Sequence, residues 1–396
     1  MDWQRTSAEG SGRWSVGTRR RWVSHARHDA IAAPHRTGPV VLPVEESRAV
    51  ASRLVMLDGS KGEGGGQILR TALTLALLTG RPFQIVKIRA NRDRPGLRPQ
   101  HLTAVEAAAR LGNAEVTGAS VGSRTLTFRP RPYAPRDLAI DIGTAGSTAL
   151  VLQTLHPPLA LRAEQPVRVT LTGGTFNPSA PSFPFLETTW RAYLAALGLP
   201  IALAMPSAGF YPRGGGRLDA WIEPARPRPW ARTDRGPLVR IRGVAGVANL
   251  RPDIAERMRA RAEVRLAARG WDAEIALADW PSPGQGAAIA LTAEHERGTP
   301  TTFVGLGERG KPAEVVADEA VEELLAYLAV ERGAVDPHSA DQILIPLALA
   351  PGRSEYTVTA VTEHLRTNAE TIRAFLDRAI EVHESTEDRL GGVVIA

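Results

Sequence analysis

An alternation of periodicities, beginning near Arg53 and read twice in the same order, limits the fold of this chain more than any other feature. In the first pass LVMLDG, PFQIVKIRA, AEVTGAS and RTLTFRP have the alternation or short apolar runs of strands, while GQILRTALTLALLTG and RPQHLTAVEAAARLG have helical spacing. The order is βαβαββ. In the second pass DLAIDIG, GSTALVLQTLHPPLAL, PVRVTLTGG, PSFPFLETTWRAYLAALG, IALAMPSAG and RLDAWIEPA repeat it. Near the C-terminus ADQILIPLALAPG, SEYTVTAV, EHLRTNAETIRAFLD, AIEVHES and GGVVIA give αβαββ, a third copy whose first strand has no evident place.

The pattern predicts an α/β (α+β) chain of three βαβαββ repeats in a pseudo-threefold large domain. Between the second and third copies lies extra material. PRPWARTDRGP reads as a linker, followed by a strand (PLVRIRGVAG), a basic helix (DIAERMRARAEVRLAARG), a strand (AEIALAD) and a strand pair around Ala287 to Leu306. This is the pattern of a small inserted α/β domain. The expected organisation is a basic, disordered extension over 1–52, repeats one and two over 53–234, the insertion over 235–310 and repeat three over 311–396.

Charge is a weaker guide than it first looks. The net charge is +6, but the first 55 residues hold nine Arg against five Asp or Glu, a surplus of +4. Only about +2 remains for the body, so global basicity alone does not imply a polyanionic partner. The leader has no apolar core of the kind a secretory signal needs, and Asp2, Glu9 and Asp29 argue against a transit peptide. With no cysteine, disulfides, thiolate metal sites and cysteine nucleophiles are excluded, and a cytoplasmic location is expected. No apolar run approaches the roughly 18 residues of a membrane helix. Neither a membrane nor an obligate protein partner is inferred.

The chemistry concentrates around LDGSKGEGGGQILR, where a strand breaks into glycines and restarts as a helix. Such glycines serve a tight turn, and they also let backbone N–H groups at a helix start approach an anion closely. Glu63 inside the loop, with Gln67 and Arg70 at i and i+3 on the helix that follows, points to site chemistry. The loop fits neither phosphate fingerprint in common use: Lys61 precedes the glycines, and Gln67 stands where a dinucleotide motif needs its third glycine.

Polar outliers recur at related places in the copies. The first helices open with Gln67 and Arg70, with Gln153, and with Asp341 and Gln342; the second helices of copies one and three begin with His101-Leu102 and His364-Leu365. A histidine at a helix start often does no more than bond a nearby carbonyl, but equivalence across repeats favours a shared role. IRANRDRPGLRPQH sets Arg89, Arg92, Arg94 and Arg98 in a Pro- and Gly-punctuated loop before His101, able to converge guanidinium groups on one anion. GGTFNPSAP and GFYPRGGG are further loops that frame a site or only turn the chain.

These motifs, together with GTAGSTALVLQTL and ADQILIPLALA with EHLRTN, closely resemble the RNA 3'-terminal phosphate cyclase family, from about Val55 to the C-terminus. The resemblance implies three βαβαββ repeats with a small insertion, and an enzyme that uses ATP and a divalent metal (Mg2+ or Mn2+) to convert an RNA 3'-phosphate end into a 2',3'-cyclic phosphate. By matching position it makes His364 the nucleophile that takes AMP. It sets Glu63 at the metal and the triphosphate, and Gln153, Pro181, His338, Asp341 and Gln342 around the nucleotide. Arg70, Arg89, Arg92, Gln100 and His101 would contact phosphate or RNA. His338 departs from the family's frequent aromatic residue at that place, which bears on nucleotide preference. Two rivals remain: a catalytically inactive cyclase-like RNA-binding protein in ribosome assembly, which lacks the nucleophilic histidine, and an enolpyruvyl transferase, which also repeats βαβαββ units but needs other site residues.

Overall fold

The computed structural model describes residues 53–62, 65–386 and 389–396, and the expectation for the 1–52 leader lies outside them. The first third of the body runs β1 (Val55–Asp58), α1 (Gln67–Thr79), β2 (Phe83–Val86), α2 (Pro99–Leu111), β3 (Glu115–Thr117) and β4 (Leu126–Arg129). The second runs β5 (Leu138–Asp141), α3 (Thr148–Arg162), β6 (Val167–Gly173), a helical stretch α4, β7 (Ile201–Ser207) and β8 (Gly216–Ile222). In α4 the α-helical pieces Phe183–Phe185 and Arg191–Ala196 flank a π-wound turn, Leu186–Trp190. Then follow β9 (Ala231–Arg232), β10 (Leu238–Ala248), α5 (Asp253–Ala267), β11 (Ala273–Asp279), β12 (Gly286–His295), β13 (Thr301–Leu306) and α6 (Ala313–Ala329). The chain ends with α7 (Leu344–Leu349), β14 (Ser354–Thr357), α8 (Glu363–Phe375), β15 (Ile380–His383) and β16 (Gly392–Ile395).

Three sheets share one order: β1-β2-β4-β3, β5-β6-β8-β7 and β9-β14-β16-β15. In each the first pair is parallel and the other two are antiparallel. The first strand of the third sheet is thus β9, two residues long, and it lies inside the stretch that reads as a linker in the sequence. That stretch is too short and too rich in proline to show strand periodicity. A fourth sheet, β11-β10-β12-β13, packs with α5 and α6 around its own core of residues such as Met258, Leu266, Ile289, Leu291 and Leu324.

The large core centres on α1. Eleven of its 13 residues are buried, so a helix apolar on nearly all sides must be wrapped by others, here α2, α3 and α8. Polar contacts fix these neighbours in register. Pro158, inside α3, has no N–H to offer the Thr154 carbonyl one turn back; Thr74 of α1 donates to that carbonyl instead, at 2.8 Å. Thr71 of α1 donates to Asn368 of α8 at 2.7 Å.

Several contacts among the described residues tie the fourth sheet and the helices packed on it to the rest. Phe210 stacks on Phe176, ring centroids 4.6 Å apart and 6° from parallel, with Trp280 packed against both. The Thr302 N–H donates to Thr189 Oγ1 in the π turn at 2.9 Å. Arg235, only 2% exposed, lies over the Tyr327 ring and donates to the carbonyls of Tyr327, Val330 and Gly333 at 2.9, 2.5 and 3.1 Å. Its cation closes the carbonyl end of α6, where the helix leaves acceptors unpaired. Arg235→Ala strips those buried acceptors of their donor and should cost about 3 kcal/mol in a urea-unfolding measurement. Arg235→Lys, with a point charge in place of the fork, should recover only part of it.

Candidate active site

The glycine loop and the start of α1 lie against two other elements. Gly62 has φ +55°, and a Cβ there would collide with Thr367 Oγ1 on α8. A Cβ on Gly66, the N-cap of α1, would collide with the His101 ring and come within 2.8 Å of Arg70 Nη1; one on Gly65 would lie 3.7 Å from Arg92 Nη2. At Gly66 only glycine lets the backbone pass so close to the imidazole, whereas the space at Gly65 would admit a Cβ. No side chain caps α1 and no acidic residue occupies its first turn, so its N–H groups and dipole favour an anion.

His101 is buried at the start of α2. Its Nδ1 accepts the Arg98 N–H at 3.1 Å, which leaves the proton of a neutral ring on Nε2, the nitrogen facing Gly66. Burial, then the guanidiniums of Arg70, Arg89 and Arg98, pushes its pKa down to about 3. The ring therefore acts as an uncharged donor. Arg70 is itself lowered to about 10 by burial, with Asp341 opposing. Arg89 takes a left-handed conformation, φ +53°, and its Nη1 donates to the carbonyls of Arg94 and Gly96, so part of its guanidinium already braces the loop. Arg92 and Gln100 stand exposed nearby, and Gln100 Cβ lies 3.3 Å from where a Cβ on Gly146 would be.

Near the start of α1 is a cavity of about 80 Å3 between α1, α3 and the approach to α7, lined by polar side chains and by apolar ones such as Leu150, Trp190 and Ile345. Gln67 donates to Asp341 Oδ2, and Gln153 donates to Gln342 Oε1. Gln342 in turn donates to the His338 carbonyl at 2.6 Å, and Asn368 donates to the Asp341 carbonyl at 2.7 Å. Burial pushes Asp341 up to about 7, against its own backbone bond, Arg70 and His338; Asp336 adds to the rise. The His338 ring is exposed, 3.9 Å from Glu323. Pro181 does not line the cavity. A larger open cleft of about 600 Å3 runs along the third sheet, but no residue singled out in the sequence borders it.

His364 is exposed in the first turn of α8, whose N-cap Thr362 accepts the Leu365 N–H at 3.2 Å. His364, Thr367, Asn368 and Thr371 recur at helical spacing on one face. That face meets Gly62 through Thr367 and α1 through Asn368, and the Lys61–Glu370 ion pair at 3.1 Å adds a further link between loop and helix. The histidine therefore lies one helical turn before Thr367, the residue that meets the loop. Glu63, the expected metal and triphosphate residue, lies outside the described residues. Among the described residues no cluster of three or more His, Asp or Glu could hold a metal unaided. The uncapped α1, the loop glycines and the surrounding cations fit a polyphosphate.

Two residues escaped the sequence reading. Asn368 is legible afterwards as i+4 from His364. His156 is fully buried, its ring 5.3 Å from Trp190, and it lines the same cavity. Its signal was a histidine in an apolar helix, three residues past Gln153 and just before two prolines. Burial lowers it to about 3, slightly offset by the Leu199 backbone, yet neither ring nitrogen reaches good hydrogen-bond geometry.

These shifts fix a pH dependence. His101 and His156 bind protons more weakly in the folded chain than at the ordinary 6.5, so between about 6.5 and about 3 the unfolded chain holds more protons and stability is lost as pH is lowered. Asp341 runs the other way: raised from 3.8 to about 7, it makes the fold less stable as pH rises through that window. The two histidines outweigh it. Each should cost about 2 kcal/mol by pH 5. His156→Leu should accordingly lose less stability than the parent between pH 7 and pH 5 in thermal melts.

Comparison with known proteins bears on the family. The sequence profile of the family described as RNA 3'-terminal phosphate cyclase matches residues 61–382. A protein of that name from Caldivirga maquilingensis is 45% identical over 334 residues, 83% of this chain and 94% of its own. One from Koribacter versatilis is 45% identical over 348 residues, 85% of this chain and 97% of its own. One from Ralstonia nicotianae is 45% identical over 331 residues, 83% and 93% respectively. A match this long, at this identity, places the chain in the RNA 3'-terminal phosphate cyclase family.

Proposed function

We propose that this protein converts an RNA 3'-phosphate end to a 2',3'-cyclic phosphodiester at the expense of ATP, as a phosphorus–oxygen ligase. The observation that carries the reading is the uncapped, glycine-started α1 set against an uncharged His101 and ringed by Arg70, Arg89 and Arg98. The names of the relatives support it.

In this reading His364 attacks the α-phosphorus of ATP; a P–N bond forms, the α–β bridge breaks and pyrophosphate leaves. A 3'-phosphate oxygen of the RNA then displaces His364 and takes AMP as an anhydride. The adjacent 2'-hydroxyl attacks the terminal phosphorus, losing its proton to solvent, and AMP departs. Hydroxyl and phosphorus sit on one ribose, so proximity replaces much of the acid–base assistance. Gln153, Pro181, His338, Asp341 and Gln342 surround the nucleotide. Arg70, Arg89, Arg92, Gln100 and His101 hold the terminal phosphate, His101 through its Nε2 proton. A Mg2+ or Mn2+ ion held by Glu63 and phosphate oxygens would neutralise the triphosphate's charge.

The test is incubation of a 3'-phosphorylated oligoribonucleotide with ATP, scoring 2',3'-cyclic ends, with a 3'-hydroxyl oligonucleotide as control. Cyclic product from the first alone is expected; none from either contradicts the reading. His364→Ala should fail with ATP yet still close an RNA supplied already adenylylated at its 3'-phosphate. Arg92→Ala should slow cyclisation roughly 10–100-fold while leaving AMP transfer to the protein largely intact. Equal loss in both steps would move Arg92 to the nucleotide.

A further inference from the structure

The GFYPRGGG segment has no part in the chemistry above, yet the structure builds it with care. Phe210 is 4% exposed and stacked on Phe176, whereas Tyr211 beside it is 68% exposed, the most exposed large apolar side chain among the described residues. The turn carrying it is pinned. The Gly214 N–H donates to the Phe210 carbonyl at 2.8 Å, and Gly214 and Gly215 take left-handed φ of +66° and +71°. A Cβ on Gly214 would lie 2.6 Å from Ala145 Cα, and one on Gly215 would lie 3.0 Å from Pro283 Cγ. A ring displayed on so fixed a turn loses little freedom when something stacks on it.

Its position decides what that something is. Gly214 rests on Ala145, the next residue is Gly146, and Gly146 faces Gln100, the neighbour of His101. Ala145, Gly146 and Gly214 are themselves buried, so these contacts set a spacing: only Gly214, Ala145 and Gly146 separate the exposed Tyr211 turn from exposed Gln100 beside His101. Arg213 is exposed on the same turn, its side chain along Gly284. The exposed apolar surface of this turn is one ring with Pro212 beside it, well short of the patch a protein partner needs. It suits one face of a base, with the cation beside a phosphate.

We propose that Tyr211 and Arg213 form a stacking post for single-stranded RNA, holding a nucleotide on the 5' side of the end that the cradle grips. This rests on the cyclase reading for the identity of the strand. Stacking on any base would extend the grip without reading sequence.

The test is anisotropy of labelled oligoribonucleotides with 3'-phosphate ends, two and eight nucleotides long, on the full chain without ATP. Tyr211→Ala should weaken the octamer about 10-fold and the dinucleotide less than twofold. Tyr211→Trp should stay within about twofold of the parent on both. Arg213→Ala should lower the slope of log affinity against log salt by about 0.7 for the octamer. Equal losses on both lengths, or none on the octamer, would overturn the proposal. Because the assay needs no turnover, a protein that never cyclises RNA but shows the length-dependent loss would defeat the cyclase reading and leave the stacking post standing.

Discussion

Everything in the site depends on the burial of α1. A helix apolar on nearly every side leaves its few polar residues no route to water, so each must find a partner on a neighbouring helix. Gln67 finds Asp341, Thr71 finds Asn368, and Thr74 repairs the carbonyl that Pro158 leaves open in α3. Those bonds set the mutual register of α1, α3, α8 and the approach to α7. Because the polar residues cluster in the first two turns, the partners gather at one end of α1, the end where the glycine loop exposes backbone N–H groups.

The electrostatics follow from that convergence. Burial first, and then the arginines gathered at the helix start, raise the cost of protonating His101, which is why it stays uncharged there. Asp341 is the carboxylate that answers Arg70, and its raised pKa shows that burial outweighs that attraction. The result is a pocket short of negative charge, with donors already oriented. His364 differs in kind: it is exposed on the first turn of α8, linked to this pocket through Thr367 and Asn368 on the same helical face.

Much of this was legible in the sequence because periodicity reports burial. GQILRTALTLALLTG showed helical spacing, and the glycine loop, the arginine run and the paired His-Leu starts announced themselves by type and spacing. What stayed hidden lacked a local signal. β9 is a two-residue strand whose partner β14 is more than a hundred residues away, separated by the whole fourth sheet. The π turn in α4 reads as ordinary helix until the contact from Thr302 is seen. His156 looked like one polar residue in an apolar helix, and only the packing shows that it lines the cavity with Gln67 and Asp341. The sequence picked out Arg89 for phosphate, but could not show that its Nη1 also holds its own loop.

The central claim is that these helices position His364 to accept AMP. Incubation with ATP alone, followed by peptide mass spectrometry under conditions that preserve acid-labile phosphoramidates, tests it most directly. The account predicts one AMP per chain, on the peptide carrying His364 and assigned to that residue. An unmodified protein, or AMP found on His101 instead, would contradict it.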